Sequence, residues 1–583
     1  MQEQLGRYGS GAFIFLVFTL LLALFAALPR LGDGFFRKVE VFFSRLSSKR
    51  LAAVAVVFLA TLGARLALVP VIGVPFPLGY DERSYLLMAE MFTHGHLAYP
   101  QHPLWKSFET FDENFYPAYS SMYPPAQGAA LAVGDLLGHP WLGVLLSMAV
   151  MGGAIVWMLQ AWLPARWAFL GGVIAFCNIG IASYWMNRYF GGAVAAIGGA
   201  MVLGALPRLR RLRVRDSLAL GVGVAILANS RPYEGLLFCI PAAMWLLIWL
   251  KGKSAPPLGS TAVKVVLPAA LVLCLTAAFM AYYNWRLTGN ALLMPHALNF
   301  RTYDTSAMFL WQHAKPLIHY NNHQYELYYN VWDRGLYNGT WRDALHLTHR
   351  TLNSIAGFFL WPADLSSLYW LPLVSPPLLC LPLVFRDRRV RLFLIEFFFC
   401  LAGMLCVVYF WPHYAAPLTG VIFGLLVQAF RHMRVLRFRG RPVGLGLARA
   451  SMILLLVGTC VGVVQWVVHP PRPCSKNWSL ARKDLTTAPI EERLERIPGK
   501  HLVVVRYGPD HSPHGEWVHN HADIDASRIV WARELDPEQN AKLFAYYRDR
   551  HIWLIEPDVD PDKLLPYTPP AEPNGAFSAA RKP

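Results

Sequence analysis

About twelve apolar stretches of membrane-crossing length, set between short arginine-rich loops, dominate this sequence. A run of roughly 20 apolar residues crosses a bilayer as a helix, because only a helix satisfies its own backbone polar groups in hydrocarbon. The stretches fall at 11–29, 51–73, 141–162, 167–185, 191–206, 217–228, 235–250, 262–283, 368–385, 392–410, 414–430 and 450–468. The segments 217–228 and 235–250 are short, so they read either as two crossings or as one broken, re-entrant pair. The first stretch lacks a basic start and a small-residue cleavage site, so it reads as a retained helix.

Charge decides orientation. The chain carries a net charge of +17, yet only 15% of its residues are charged and 55% are hydrophobic. The positives crowd four short loops, around Arg37 and Arg45, Arg208 to Arg215, Arg386 to Arg391, and Arg431 to Arg441. All four fall on one side of the membrane under this assignment, which makes that side cytoplasmic. The basic balance is thus a topology signal, and no nucleic-acid partner is expected. Eight cysteines are scattered, mostly inside apolar stretches, with no C-x-x-C pair, which excludes a disulfide framework or a zinc site.

The long polar segments then lie outside: 74–125, 284–351 and the tail after 468. The stretch 126–137 is apolar but too short to span and reads as an interfacial helix. In the tail, 501–505, 528–531 and 551–556 read as strands. Asp536-Pro537 reads as a helix start, with the helix running to about residue 550. From Pro557 onward the chain is Pro-rich and reads as extended or disordered. The expected architecture is an all-α polytopic membrane domain with a small C-terminal α/β extracytoplasmic domain. Its parts are an N-terminal helix and basic loop (1–50), a membrane catalytic domain (51–468) and the tail domain (469–583).

Two carboxylates, Asp81 and Glu82, stand just past the second apolar stretch, where the first outer loop leaves the membrane. An acid pair there could hold a general base beside a lipid-linked substrate. It could equally begin an interfacial helix from 82 to about 92, with Asp81 as its cap. The same loop carries Tyr85, then Tyr123-Pro124-Pro125 leading into the interfacial helix.

This order of features resembles the GT-C superfamily of membrane glycosyltransferases. Members have many membrane helices, an acidic motif in the first outer loop, and a Tyr-Pro-Pro-like entrance to a further apolar helix. The resemblance covers 51–468. It is nearest to the bacterial lineage of protein O-mannosyltransferases and aminoarabinose transferases, including the RgtA/B/C/D-like domain. It implies a polyprenyl-phosphate-linked sugar as donor, lying in the outer leaflet, and an acceptor that is a glycan, lipid or protein. It implies transfer with inversion, with Asp81 as general base and Glu82 able to substitute or to hold the acceptor. Tyr85, Tyr123 and Glu234 are the implied substrate contacts. It also implies a multi-pass protein of the bacterial inner membrane, with the active site and tail domain outside.

The leaving polyprenyl phosphate needs positive charge or hydrogen-bond donors. Arg188, Arg231, Arg286 and His413 sit at outer helix ends and are candidates. Arginine at such ends also snorkels to headgroups without any catalytic role. Arg231 with Glu234 is the favoured pair, since charges inside a short apolar stretch are costly without a purpose. Some GT-C members carry a second acidic motif that helps bind a divalent metal. Here the second outer loop reads Asn187-Arg188-Tyr189-Phe190-Gly191, without a carboxylate, so a metal-independent transferase is the better fit and no metal ligand is assigned. His319 and His323 are four apart and could share a helix face, a spacing compatible with a metal that does not indicate one without further ligands. The tail cluster Asp510, His511, His514, Glu516, His519 and His521 shows no recognised ligand spacing. The tail cluster reads as a solvated loop, or as a loop folded back over the membrane site. A transporter or flippase of lipid-linked envelope precursors is the alternative reading. It would call for mid-membrane ionisable groups and repeated halves.

Overall fold

The computed structural model describes residues 2–252, 256–360, 376–468 and 487–567. The protein is a mostly helical, multi-pass membrane protein with a small C-terminal sheet domain. Among the described residues, seven helices are long and apolar enough to cross a membrane: Arg50–Ile72, Pro140–Trp162, Ala193–Arg211, Pro232–Lys251, Leu258–Thr288, Pro412–Arg434 and Val443–Val464. Shorter apolar helices at Phe15–Ala27, Ala165–Ile179 and Pro376–Arg386 join them. The expected break at 217–250 resolves into two helices, Val214–Ala228 and Pro232–Lys251, separated by a short turn. Of the expected segment 368–385, residues 368–375 lie outside the described residues.

Small residues let these helices approach closely. The helix Pro125–Leu136, expected from its composition, packs on Pro140–Trp162 with Gly134 against Gly143. A Cβ on Gly134 would lie 2.1 Å from the Gly143 nitrogen, so no larger residue fits. At the end of the bundle that carries the basic loops, Arg434 and Arg449 both reach Glu40, at 2.7 and 3.3 Å. Glu40 belongs to the amphipathic helix Asp33–Ser48, which these contacts tie to the bundle.

The opposite end carries the polar loops. The helix Tyr80–Thr93 starts there, followed by a small antiparallel sheet of β1 (Tyr99–Pro100), β2 (Glu113–Asn114) and β3 (Ala118–Ser121), ordered β1-β3-β2. The tail domain has β4 (Lys500–Val505), β5 (Ile529–Arg533), β6 (Arg550–Glu556) and β7 (Asp560–Pro566), ordered β5-β4-β6-β7. The first three are parallel, and β7 runs antiparallel to β6. Asp536 caps the helix Pro537–Tyr546 by accepting the Gln539 N–H at 2.8 Å. The helix ends at Tyr546, short of the expected 550, because β6 begins there. Of the stretch from Pro557 expected to be extended or disordered, 560–566 form the extended strand β7, where Leu564 and Leu565 pair with Ile555 and Leu554, and 568–583 lie outside the described residues. The strand is legible only through its partner, since its sequence is polar and contains prolines.

The tail domain is not an isolated unit. Leu87 and Met91 of the Tyr80–Thr93 helix, with Phe108, Phe115 and Tyr119 of the loop, share one core with Leu502, Val504, Val530 and Leu543. Burying each such side chain contributes roughly 1.5–3 kcal/mol, so this contact belongs to the fold of both parts.

Candidate active site

Glu82 fixes the start of the Tyr80–Thr93 helix. A helix begins with unpaired N–H groups, and the Glu82 carboxylate turns back to meet two at this entry: Oε2 accepts from Leu78 N–H at 3.0 Å and Gly79 N–H at 3.1 Å. The cap position is therefore Gly79, two residues before the expected Asp81. The same carboxylate accepts from the Arg188 guanidinium at 2.8 Å and from the Tyr189 N–H at 3.0 Å. Glu82 is 0% exposed and the Arg188 side chain 1%. A buried carboxylate surrounded by donors in this way is a structural anchor joining the loop to the 184–190 segment.

Asp81 differs. Its Oδ1 accepts the Glu82 N–H at 2.9 Å, while Oδ2 has no hydrogen bond among the described residues. It is half-buried, enclosed enough for desolvation to matter yet still in contact with solvent. Burial, then the carboxylates of Glu82 and Asp112, hold Asp81 well above the usual carboxylate range.

Asp112 was not singled out from the sequence. It sits beside β2 with φ at 62°, a left-handed conformation that a non-glycine residue adopts at a cost. Its carbonyl accepts Ser84 Oγ–H at 2.6 Å and Met122 N–H at 3.1 Å, which holds the turn against the acid helix. Its Oδ2 accepts the Tyr123 hydroxyl at 2.8 Å. Burial pushes Asp112 up to about 7, against the lowering effect of that bond. The available sequence signal is a carboxylate pair, Asp112-Glu113, between phenylalanines in the loop that follows the Tyr80–Thr93 helix. The folded loop is what sets Asp112 near Asp81.

Tyr85 lies one helical turn beyond Asp81 and stacks on Tyr123, with ring centroids 4.3 Å apart. Tyr123 thus bridges Tyr85 and Asp112, and its backbone carbonyl faces the Tyr283 hydroxyl at 3.4 Å. Arg231 stands immediately before the Pro232–Lys251 helix, with its guanidinium 4.4 Å from the ring centre of Tyr414. Burial, with the Arg231 charge added, pushes His296 down to about 4, so a neutral imidazole borders this positive centre. Arg231 and Glu234 form no direct ion pair among the described residues, although they share the first turn. His413 neighbours Tyr414, and its Nδ1 lies 3.0 Å from the Tyr184 hydroxyl.

Of the residues selected by sequence, Asp81, Tyr85, Tyr123, Arg231, Glu234 and His413 gather at this one end of the bundle. Glu82 and Arg188 lie beneath it as the anchor. Arg286 is apart, exposed near the end of the Leu267–Thr288 helix. The tail cluster disperses to separate partners: His511 to Asp558 at 2.7 Å, Glu516 to Arg533, and His521 to Glu90 at 3.1 Å. His514 stacks on Tyr80 with its Nδ1 3.2 Å from the Tyr80 hydroxyl, beside Asp81 in the chain. The tail loop therefore does fold back to the acid helix. Among the described residues, no group of three or more His, Cys, Asp or Glu is gathered as a metal would require.

The arrangement offers a carboxylate of raised pKa with one free oxygen, a second carboxylate nearby, stacked phenols and a fixed guanidinium at a membrane edge. Such a set can take a proton from one group and stabilise negative charge on another. No protein-family model and no curated protein sequence matches this chain. Several solved structures are similar to it. ArnT from Cupriavidus metallidurans in the apo state has a TM-score of 0.49 at 14% identity, over 86% of this chain and 93% of that one. The same protein bound to undecaprenyl phosphate has a TM-score of 0.47 at 13% identity, over 87% and 92%. The oligosaccharyltransferase AglB from Archaeoglobus fulgidus, in complex with an inhibitory peptide and a dolichol-phosphate, has a TM-score of 0.43 at 11% identity, over 87% and 69%.

Proposed function

We propose that this protein is an integral-membrane glycosyltransferase that moves a sugar from a polyprenyl-phosphate-linked donor to an extracytoplasmic acceptor. The observation that carries the reading is the meeting of Asp81, Asp112, the Tyr85–Tyr123 stack and Arg231 at one membrane edge. The chemistry is a displacement at the anomeric carbon. The acceptor oxygen or nitrogen forms the new bond as the carbon–oxygen bond to phosphate breaks, with inversion. Asp81 Oδ2 takes the acceptor proton, and the raised pKa makes it a stronger base than an ordinary carboxylate. The leaving polyprenyl phosphate gains negative charge, which Arg231 stabilises from its fixed place over Tyr414, with His413 close by. Asp112 orients Tyr123, and Tyr85 and Tyr123 present a stacked wall to a sugar ring. The setting is a bacterial inner membrane with this end of the bundle outside, and the acceptor is a glycan, lipid or protein of the cell envelope.

One observation favours a transporter of lipid-linked precursors instead. Glu396 lies within the Arg391–Met404 helix, 0% exposed, with neither carboxylate oxygen bonded among the described residues. The deciding assay uses purified protein in nanodiscs, a labelled sugar on polyprenyl phosphate, and the Asp81→Asn variant. Transfer by the wild type and its loss in the variant are the expected results. Full transfer by Asp81→Asn would remove the base assignment. Movement of intact donor across the bilayer without glycosidic transfer would establish the transporter.

A further inference from the structure

A cavity lies away from the acid cluster. It has a volume of about 320 Å³ and opens between the β2–β3 sheet and the segment 302–321. That is the lower end of the small-molecule range of about 300–1,000 Å³, a fit for one or two sugar rings rather than a lipid chain. Its walls include the rings of Trp105, Phe115, Tyr116 and Tyr303, together with Glu109 and Asn321, and no lysine or arginine lines it.

The polar groups are arranged and partly unused. Glu109 is 2% exposed, and its two oxygens are held separately, one by the Tyr303 hydroxyl at 3.1 Å and the other by Asn321 Nδ2 at 3.0 Å. A carboxylate accepts about four hydrogen bonds, so each oxygen keeps capacity for a ligand hydroxyl. The Asn321 side-chain oxygen, the Trp105 indole N–H and the Tyr116 hydroxyl have no hydrogen-bond partner among the described residues. Aromatic faces take the C–H face of a pyranose, while a fixed carboxylate and an amide take its neighbouring hydroxyls. The buried Glu109 carboxylate disfavours a phosphorylated or acidic ligand by like-charge repulsion, against the nearby Lys106, 6.0 Å from the Trp105 ring centre, and His319 of the wall.

We infer that this cavity is a binding site for an uncharged pyranose unit, held between the aromatic rings and bonded by Glu109 and Asn321. Its position suggests the use. Glu109 stands three residues before Asp112 on the same loop, and Phe111 between them packs on Tyr325, with centroids 4.8 Å apart. Tyr325 in turn touches Tyr303 of the cavity wall at 5.3 Å. One aromatic wall thus borders both places. A glycan acceptor seated by one sugar in the cavity would approach the acid cluster with another, a role that rests on the transferase reading, whereas saccharide binding itself does not.

The test is saturation-transfer NMR on the full chain in nanodiscs with neutral di- and trisaccharides of hexoses and N-acetylhexosamines, and with hexose phosphates. Neutral sugars are expected to bind, and hexose phosphates to bind more weakly. Tyr116→Ala, at a residue 64% exposed, and Asn321→Ala are expected to weaken binding about tenfold without disturbing the fold. Asp81→Asn is expected to bind as the wild type does. Failure of every neutral sugar to bind, or unchanged binding in both cavity variants, would overturn the proposal. Normal sugar transfer alongside no saccharide binding would remove the cavity site alone. Saccharide binding lost in the cavity variants, with transfer unaffected by Asp81→Asn, would remove the base assignment and leave the cavity site standing.

Discussion

Two carboxylates adjacent in sequence, Asp81 and Glu82, belong to two different regions once folded. Glu82 faces down into the bundle, fully buried, with two backbone N–H groups at the helix entry and two more donors from the 188–189 segment. Asp81 faces the loop side with one oxygen unbonded and another acid nearby. The tail domain repeats the Glu82 pattern: Glu516 and Arg533, each 2% exposed, pair with one another, and Arg533 also reaches Gln324 at 2.8 Å. Saturation with donors marks an anchor, whereas a desolvated acid lacking enough donors is strained toward protonation and is available for chemistry. One helical turn can thus hold both kinds, because successive residues point about 100° apart.

The sharpest way to break this comparison is to neutralise each acid in turn. Asp81→Asn should leave thermal stability in detergent unchanged and reduce the turnover rate by about 10²–10⁴-fold, the usual worth of a general base. Glu82→Gln should do the reverse. It replaces the carboxylate that Arg188 holds at 2.8 Å with a neutral amide and turns an amide N–H toward backbone donors, at a cost of about 3–5 kcal/mol. Thermal unfolding of both variants, followed by turnover measured on the folded fraction, separates the two. If Glu82→Gln unfolds at the wild-type temperature, the anchor assignment fails.

The guanidinium groups allow a second comparison. Arg231 is positioned over Tyr414 within the cluster, while Arg286 is exposed and apart. Arg231→Ala should raise the KM for the polyprenyl-phosphate donor by roughly 10–150-fold, equivalent to losing a charge-assisted bond of about 1.5–3 kcal/mol. Arg286→Ala should stay within about twofold, since it loses only headgroup contact. Equal effects from both would mean that membrane association, and not donor recognition, is being measured.

How much of this was legible beforehand follows the physics of each signal. Membrane helices are continuous in sequence, and a helix answers each of the apolar stretches within the described residues, although Arg391–Met404 stops short of the expected 410. The Asp536 cap and the Pro124–Pro125 helix entry are also local, and both were visible. Asp112 was not, because its importance comes from a left-handed turn and a tyrosine 11 residues later. Arg188 was visible as a charge at a helix end, but its partner lies 106 residues away in sequence. The sharing of a core between Leu87 and Val504 has no sequence signature either, since both simply read as apolar.

The acid pair also predicts a pH response. A carboxylate base works only when deprotonated, so turnover should rise with pH as Asp81 ionises and then level off. Asp112, at about 7, is one of the charges that hold Asp81 up. Asp112→Asn removes that charge, so the rising limb should move to lower pH. Stability runs the other way. Asp112 is protonated more readily folded than unfolded, so its contribution is fully present below about 4 and is lost as pH rises through about 7. A pH–rate profile unmoved in Asp112→Asn would show that the two acids do not interact.

Apart from the exposed Arg286, the smallest expected effect concerns the contact between the two parts of the molecule. His514 stacks on Tyr80 and stands 3.2 Å from its hydroxyl, while Tyr80 begins the helix turn that carries Asp81. The tail domain is already held elsewhere by the Leu87–Val504 core and by Arg533, so His514 does not dock it alone. Its effect should therefore reach Asp81 only through the placement of Tyr80, which also bonds Tyr328 at 3.0 Å. His514→Ala should lower kcat by less than about fivefold, because only part of one stacking contact, about 0.5–1.5 kcal/mol in full, reaches Asp81. Thermal stability and donor KM should stay put. His514→Phe, which keeps the stack but not the ring nitrogen, should recover most of the loss. If His514→Phe recovers nothing, the hydrogen bond rather than the stack sets the position of Tyr80. A fall in stability equal to that of Glu82→Gln would place His514 among the anchors and erase the distinction between the two regions.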